Sequence, residues 1–530
     1  MKYKPIVLII LDGWGLSPSW GGNALAVANP INMNRLWRDY PHKVLQAFTM
    51  VAGKYGVVGD SRLGHSTIAA GRRIPQDLEI ISEAIAKRRF YKNKILIEAI
   101  NHCIKHKSNL HLIGLLSIGG VHSHLRIVSA LLELCWREKF KDVFLDLITD
   151  GIDGGANDTL NLIEDIQTKI KETGIGQFSS LVGRFYAMDR SDNFKLTRKA
   201  YELWVEGKGQ IASTVSQAIS QSYRLGFNDF NLPATLIQNI GKTHLIQDDD
   251  AVICFNFRGD RSVQLVKMLT GTGGHQIFWK PKKLSNLFFV TFTEYQKGLP
   301  VKVAFPRKEA KETLGEILAS HEQKQLRVAE SEKTAHVTTF FNCGHDTPFP
   351  REERKIVPSL SGVNPAKNPE LSAPQIAREV LKAISSNKYD FILVNFANVD
   401  ILSHSGDFRA AGTAIRTVDS LTSTIAESAV SAGGAAIITA DHGNIEQMIK
   451  LNPQQDPEAR HTLNPVPFIL VTKEGKKDLI KGAVSTPYST LSKIITAKET
   501  LADIAPTILE LLGLPRPEVM TGHSLLNKLE

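Results

Sequence analysis

Cysteine is scarce: the chain has four in 530 residues, and Cys103, Cys135, Cys254 and Cys343 form no Cys-x-x-Cys pair. That spacing argues against a disulfide framework or a thiolate zinc site, and their apolar, strand-like surroundings suit reduced thiols. Long basic runs and basic patches interleaved with aromatics are also missing. The net charge of +9 therefore does not by itself mark a nucleic-acid surface, and an anionic small substrate or a basic surface accounts for it as well. No apolar run approaches the length that spans a bilayer. The opening "MKYKPIVLIILDGWG" holds an apolar run of only six residues, ended by Asp12 with no small-residue cleavage site. It reads as folded structure rather than a secretion signal, and a cytoplasmic protein is expected. Internal repeats and low-complexity tracts are absent as well.

What is present is a recurring strand signal. The runs "IVLIIL" (6–11), "LHLIGLL" (110–116), "VFLDLIT" (143–149), "AVICFNF" (251–257), "LFFVTFT" (287–293), "YDFILVNFA" (389–397), "GAAIITA" (434–440) and "PFILVT" (467–472) are mostly continuous rather than alternating. Continuous apolar runs predict buried parallel strands. Helix-period segments separate them. In 372–386, Ile376, Val380, Leu381 and Ile384 share a face, with Ser372 as the expected N-cap and Pro374 in the first turn; the segment 410–432 stops at Gly433 and Gly434. Alternating strands and helices predict an α/β fold built on parallel sheets. The length predicts two domains, three at most, with boundaries near 71–79 and 297–310, and the irregular stretch 357–375 reads as a surface connection.

Parallel sheets place ligand sites beyond the carboxyl ends of their strands. Those ends carry Asp12, Asp400 with His404, and Asp441 with His442, while His461 precedes a further strand. Singly, each is a turn or cap residue. Together, three carboxylates and three imidazoles without cysteine suit one or two divalent ions. Ser61, in "GDSRLGHS" (59–66), sits at a predicted helix start and alone would read as a cap. Beside a metal pair its hydroxyl becomes a nucleophile, with the helix end stabilising a phosphate formed on it. His122, Arg184, Arg190, Arg258, Arg261 and Lys333 lie in further polar motifs. Each arginine could serve as a surface ion pair, and the set suits a ligand bearing phosphate and carboxylate.

The motifs "LDGWG", "GDSRLGHS", "GGVHSH", "GRFYAMDR", "FNFRGDRSVQ", "ESEKTAHVTTFFN", "NFANVD", "TADHGN" and "HTLNPVPF", in this order, resemble the 2,3-bisphosphoglycerate-independent phosphoglycerate mutases of the alkaline phosphatase superfamily along nearly the full length. The resemblance implies a monomeric isomerase that interconverts 3-phosphoglycerate and 2-phosphoglycerate in glycolysis and gluconeogenesis through a phosphoserine on Ser61. It implies two manganese ions, one held by Asp400, His404 and His461, the other by Asp12, Ser61, Asp441 and His442. His122, Asp153, Arg184, Arg190, Arg258, Arg261 and Lys333 match substrate-contacting positions. The implied architecture is an alkaline-phosphatase-like metal-binding domain from 1–75 plus 306–530, an inserted α/β transferase domain from 76–305, and a substrate site in the cleft between them.

The sequence departs from that pattern in places. Ile152 stands where the family has arginine; Asp60, Arg62 and Leu63 replace Asn, Glu and Val beside Ser61; Ser403 replaces a glycine; and the tract after "VPSLS" differs. Losing one charge-assisted contact costs about 1.5–3 kcal/mol, enough to weaken such an enzyme without abolishing it. Two other readings stay open: a diverged metal-dependent phosphatase or phosphomutase acting on another phosphoester, and a non-catalytic phospho-ligand binding protein. No membrane or nucleic-acid partner is expected.

Overall fold

The computed structural model describes residues 3–18, 20–47, 60–238, 244–273, 281–307, 309–449, 461–475 and 498–529. The chain divides into two compact units, Met1–Ile74 with Lys308–Glu530, and Pro75–Arg307.

Among the described residues, the first unit is built on a seven-stranded sheet: β1 (Ile6–Leu11), β2 (His42–Leu45), β11 (Gln325–Glu330), β12 (Glu352–Val357), β13 (Phe391–Phe396), β14 (Ala435–Thr439) and β15 (Val466–Val471). The spatial order is β12-β11-β13-β1-β14-β15-β2. Strands β1, β13, β14 and β15 are buried at every residue, the state their unbroken apolar runs predict. The 467–472 run is a strand, but β15 lies antiparallel to both β14 and β2, which corrects the expectation of parallel pairing. Its two faces are covered as fully as those of a parallel neighbour, so its composition carries no trace of its direction. In the helix Ala373–Ser385, Ile376, Val380 and Ile384 are buried and Leu381 is partly buried. Ser372 takes the N-cap position without capping, because its hydroxyl donates to the Pro358 carbonyl at 2.8 Å. The 24-residue helix Phe408–Ser431 is followed by Gly433 at a φ of 82°, a conformation that favours glycine. Much of the 357–375 stretch is exposed.

The second unit's sheet comprises β3 (Leu110–Leu116), β4 (Val143–Thr149), β5 (Gln177–Gly183), β6 (Gln210–Ala212), β7 (Thr235–Ile237), β8 (Ala251–Cys254), β9 (Phe288–Thr291) and β10 (Lys302–Val303). Its order is β10-β9-β8-β3-β4-β5-β7-β6, and only the β5–β7 pair is antiparallel. Side chains alternate between two cores: Leu112, Leu147, Leu181 and Ile253 enter one, Ile113, Ile148, Val182 and Val252 the other. Both faces are thus covered. The strands predicted over 251–257 and 287–293 are shorter, because Asn256 and Tyr295 take the chain into a polar turn network.

Candidate metal centre and arginine cluster

The first unit's site follows from strand register. Ile10 of β1 pairs with Asn395 of β13 and with Thr439 of β14, so three parallel strands end level. Asp12 follows β1 directly, Asp441 and His442 follow β14, and Asp400 projects from the short helix Asn398–Ser403 after β13. Ser403, at the position where glycine was expected, donates to the Asp400 carbonyl at 2.6 Å and so helps fix that turn.

Ser61 opens the helix Ser61–Ala70, but the cap is Asp60, whose carboxylate accepts from Leu63 N at 2.7 Å. The Ser61 hydroxyl is therefore left for other work: Oγ lies 2.9 Å from His442 Nε2 and 3.5 Å from Asp12 Oδ1. A close helix approach makes this possible, because a Cβ on Gly64 would stand 2.4 Å from the Asp441 carbonyl oxygen. His442 Nε2 lies 3.4 Å from both Asp12 Oδ1 and Asp441 Oδ2. Across from it, His404 and His461 approach Asp400 Oδ1 at 3.3 and 3.5 Å, and the His442 and His461 rings stack at 3.8 Å.

Lys333 belongs to the first unit, where it meets two carboxylates. Its Nζ donates to Asp400 Oδ2 at 2.7 Å and lies 3.0 Å from Asp12 Oδ2. Burial opposes its charge, yet those two carboxylates hold it above the ordinary lysine value. Burial and the neighbouring Asp441 push Asp12 up, whereas Asp400 stays well below the usual carboxylate range despite burial, because of Lys333 and the histidines.

Among the described residues, two groups have donor atoms within 4.8 Å of one another: Asp400, His442 and His461, and Asp12, Asp441 and His442. Asp441 Oδ2 is buried and faces the His65 Nδ1 and His442 Nε2 atoms at 3.2 and 3.4 Å. Three buried carboxylates faced by one lysine and by imidazoles, with no thiolate, fit a divalent cation. The sequence motifs did not single out two groups behind these ligands. Asn395 donates to Asp12 Oδ2 and to His65 Nε2, both at 3.1 Å, which leaves His65 Nδ1–H to donate to the Ser61 carbonyl at 2.8 Å. The signal available was a polar Asn395 inside an otherwise apolar strand.

The second unit gathers the guanidinium groups. Arg184, just after β5, is buried and ion-paired with Asp150 and, at 3.0 Å, with Asp153. Arg258 meets Asp260 at 3.3 Å, and Arg261 donates to the Met188 carbonyl at 3.4 Å. Arg190 is exposed, near enough to Arg261 to depress it together with burial and Arg184. His122 is pushed down to about 3 by burial and by Arg184, Arg258 and Arg261, against Asp260, so it is neutral near pH 7. Ile152 is 60 % exposed beside this cluster, its N–H held by Asp150.

The Metalloenzyme superfamily matches residues 4–516. A 2,3-bisphosphoglycerate-independent phosphoglycerate mutase of Clostridium tetani is 39 % identical over 529 residues, covering 99 % of each chain. The chain belongs to the 2,3-bisphosphoglycerate-independent phosphoglycerate mutase family. The enzyme of that name from Acetivibrio thermocellus is 36 % identical over the whole of both chains. As a member of this family the protein is an isomerase and a metalloenzyme. The fold is also that of a solved Leishmania mexicana phosphoglycerate mutase, with a TM-score of 0.74, 24 % identity, and coverage of 98 % of this chain and 97 % of that one. Among the described residues no helix is long and apolar enough to cross a membrane.

Proposed function

We propose that the protein interconverts 3-phosphoglycerate and 2-phosphoglycerate through a phosphoserine on Ser61, with two manganese ions. Asp400, His404 and His461 would hold one ion, and Asp12, Ser61, Asp441 and His442 the other. When bound, the ions supply charge stabilisation for the phosphoryl group and lower the pKa of a coordinated hydroxyl.

The observation that carries this reading is the position of Ser61 Oγ, uncommitted to capping and 2.9 Å from His442 Nε2 among Asp12 and Asp441. Ser61 would take the phosphoryl group from one glycerate hydroxyl and return it to the other. The N-terminal N–H groups of its helix favour the phosphate that forms there. Lys333 offsets the anionic charge of the transferring group. In the inserted unit, His122, Asp153, Arg184, Arg190, Arg258 and Arg261 would bind and orient the anionic substrate, a phosphorylated carboxylate, and thereby retain the glycerate between transfers.

Incubating purified protein with manganese and 3-phosphoglycerate, followed by phosphorus NMR, tests the proposal: the 2-phosphoglycerate resonance is expected to grow to equilibrium. Ser61→Ala is expected to abolish it, together with phosphate incorporation at that residue by mass spectrometry. Inorganic phosphate as the sole product would identify a phosphatase instead.

A further inference from the structure

Glu446 is fully buried, yet no lysine, arginine or histidine is paired with it among the described contacts. Its carboxylate instead joins two turns of the candidate metal centre. Oε2 accepts from Asn444 N at 2.8 Å; Oε1 accepts from the Thr462 hydroxyl and from Asn464 Nδ2 at 2.9 Å. Asn444 in turn donates through Nδ2 to Asp400 Oδ1 at 3.0 Å. The turns also meet directly, Thr462 N donating to the Gly443 carbonyl at 2.9 Å. The side chain passes where only glycines leave room: a Cβ on Gly15 or on Gly443 would stand 2.4 Å from its carboxylate. One carboxylate thus contacts segments following β1, following β14 and preceding β15.

We infer that Glu446 is a positioning residue for the metal centre: by clamping the 441–444 turn to the 461–464 turn it sets His461 and Asp400 at the spacing that a divalent ion requires. His461 precedes Thr462 by one residue, so the Thr462 and Asn464 hydrogen bonds fix the backbone from which the imidazole reaches Asp400. The Asn444 link fixes the opposite side. A carboxylate suits this place because all three of its partners are donors. An amide would turn one NH2 group against a donor in either orientation. Groups that orient metal ligands from behind typically change metal affinity by about 10–100-fold when altered.

The inference rests on the metal centre of the proposed function, and the experiment separates the two. Chelator-stripped full-length protein is titrated with Mn2+, and free ion is followed by electron paramagnetic resonance, for wild type, Glu446→Gln and Thr462→Val. Circular dichroism and thermal unfolding check the fold. Glu446→Gln is expected to weaken Mn2+ binding about tenfold or more and to lower kcat with KM little changed, with partial rescue by excess Mn2+. Thr462→Val, which removes one donor and keeps side-chain shape, is expected to move binding severalfold in the same direction. Wild-type Mn2+ affinity in both folded variants overturns the inference, as does wild-type affinity in Thr462→Val if Glu446→Gln does not fold. Wild-type protein that binds no Mn2+ overturns the metal centre itself.

Discussion

Both units are α/β layers that gather charged side chains beyond the carboxyl ends of parallel strands, but the first gathers carboxylates and imidazoles around one lysine and the second gathers guanidinium groups beside aspartates. Around the ends of β1, β13 and β14 the first unit collects Asp12, Asp400 and Asp441 with His65, His336, His404, His442 and His461 about a single lysine, Lys333. After β4, β5 and β8 the second collects Arg184, Arg258 and Arg261, with aspartates already paired to two of them. One architecture therefore gathers carboxylates and imidazoles at one set of strand ends and guanidinium groups at another, and the difference lies in a few side chains at strand ends rather than in the fold.

The sharpest way to break this contrast is to remove a carboxylate from the candidate metal centre. Asp400→Asn keeps shape but removes the charge that faces Lys333, His404 and His461. Activity is expected to fall by roughly a thousandfold or more while the protein remains folded, with Mn2+ stoichiometry reduced in a titration. Loss of the fold, instead of loss of Mn2+ binding by a folded protein, would mark Asp400 as structural.

Removing a guanidinium should act differently. Arg261→Ala is expected to cost about tenfold to a hundredfold in kcat/KM, the loss of one charge-assisted contact, and to leave Mn2+ affinity unchanged. Equal damage to metal binding would erase the division of labour between the units.

A third contrast concerns pH. In the second unit His111 is fully buried, 2.7 Å from Asp146 and 3.5 Å from Asp250. Burial opposes its protonation, but the two carboxylates raise it to about 9. Raised above an unfolded value of about 6.5, it contributes stability that is full below that pH and is lost as pH rises through about 9, at most about 3 kcal/mol. Differential scanning calorimetry from pH 6 to 9.5 should show the inserted unit losing stability with this profile, and His111→Phe should flatten it.

The smallest expected effect is at Ile152. Its exposure means that an introduced guanidinium works in solvent, so Ile152→Arg should raise kcat/KM for 3-phosphoglycerate by about tenfold or less. It should also lower any release of inorganic phosphate. No change in either quantity would show that this position does not contribute to retaining the glycerate.

The unbroken apolar runs of β1, β3, β4, β13 and β14 carried the α/β class in the sequence, because strands covered on both faces admit almost no polar residue. The strands β11 and β12 were not legible. Both carry charged residues, and Arg327, wholly buried, sits over the Phe341 and Phe391 rings, an environment that no local pattern encodes. The residues of the candidate metal cluster stood out in the sequence because carboxylates and histidines lay at strand ends. Their supports could not: Asn395, His65 and Glu446 look like ordinary polar residues until the segments that surround them are brought together.

By itself, then, the sequence determined that the unbroken apolar runs become buried strands and which ionisable side chains stand at their ends, because both are set by hydrophobicity and turn chemistry within a few residues. Only the tertiary structure decided that Asp60, and not Ser61, caps the helix, that Lys333 pairs with Asp12 and Asp400, and that β15 runs antiparallel. Each of those outcomes depends on partners distant along the chain, and a hydrogen bond or ion pair exists only when folding has placed its second half within about 3 Å.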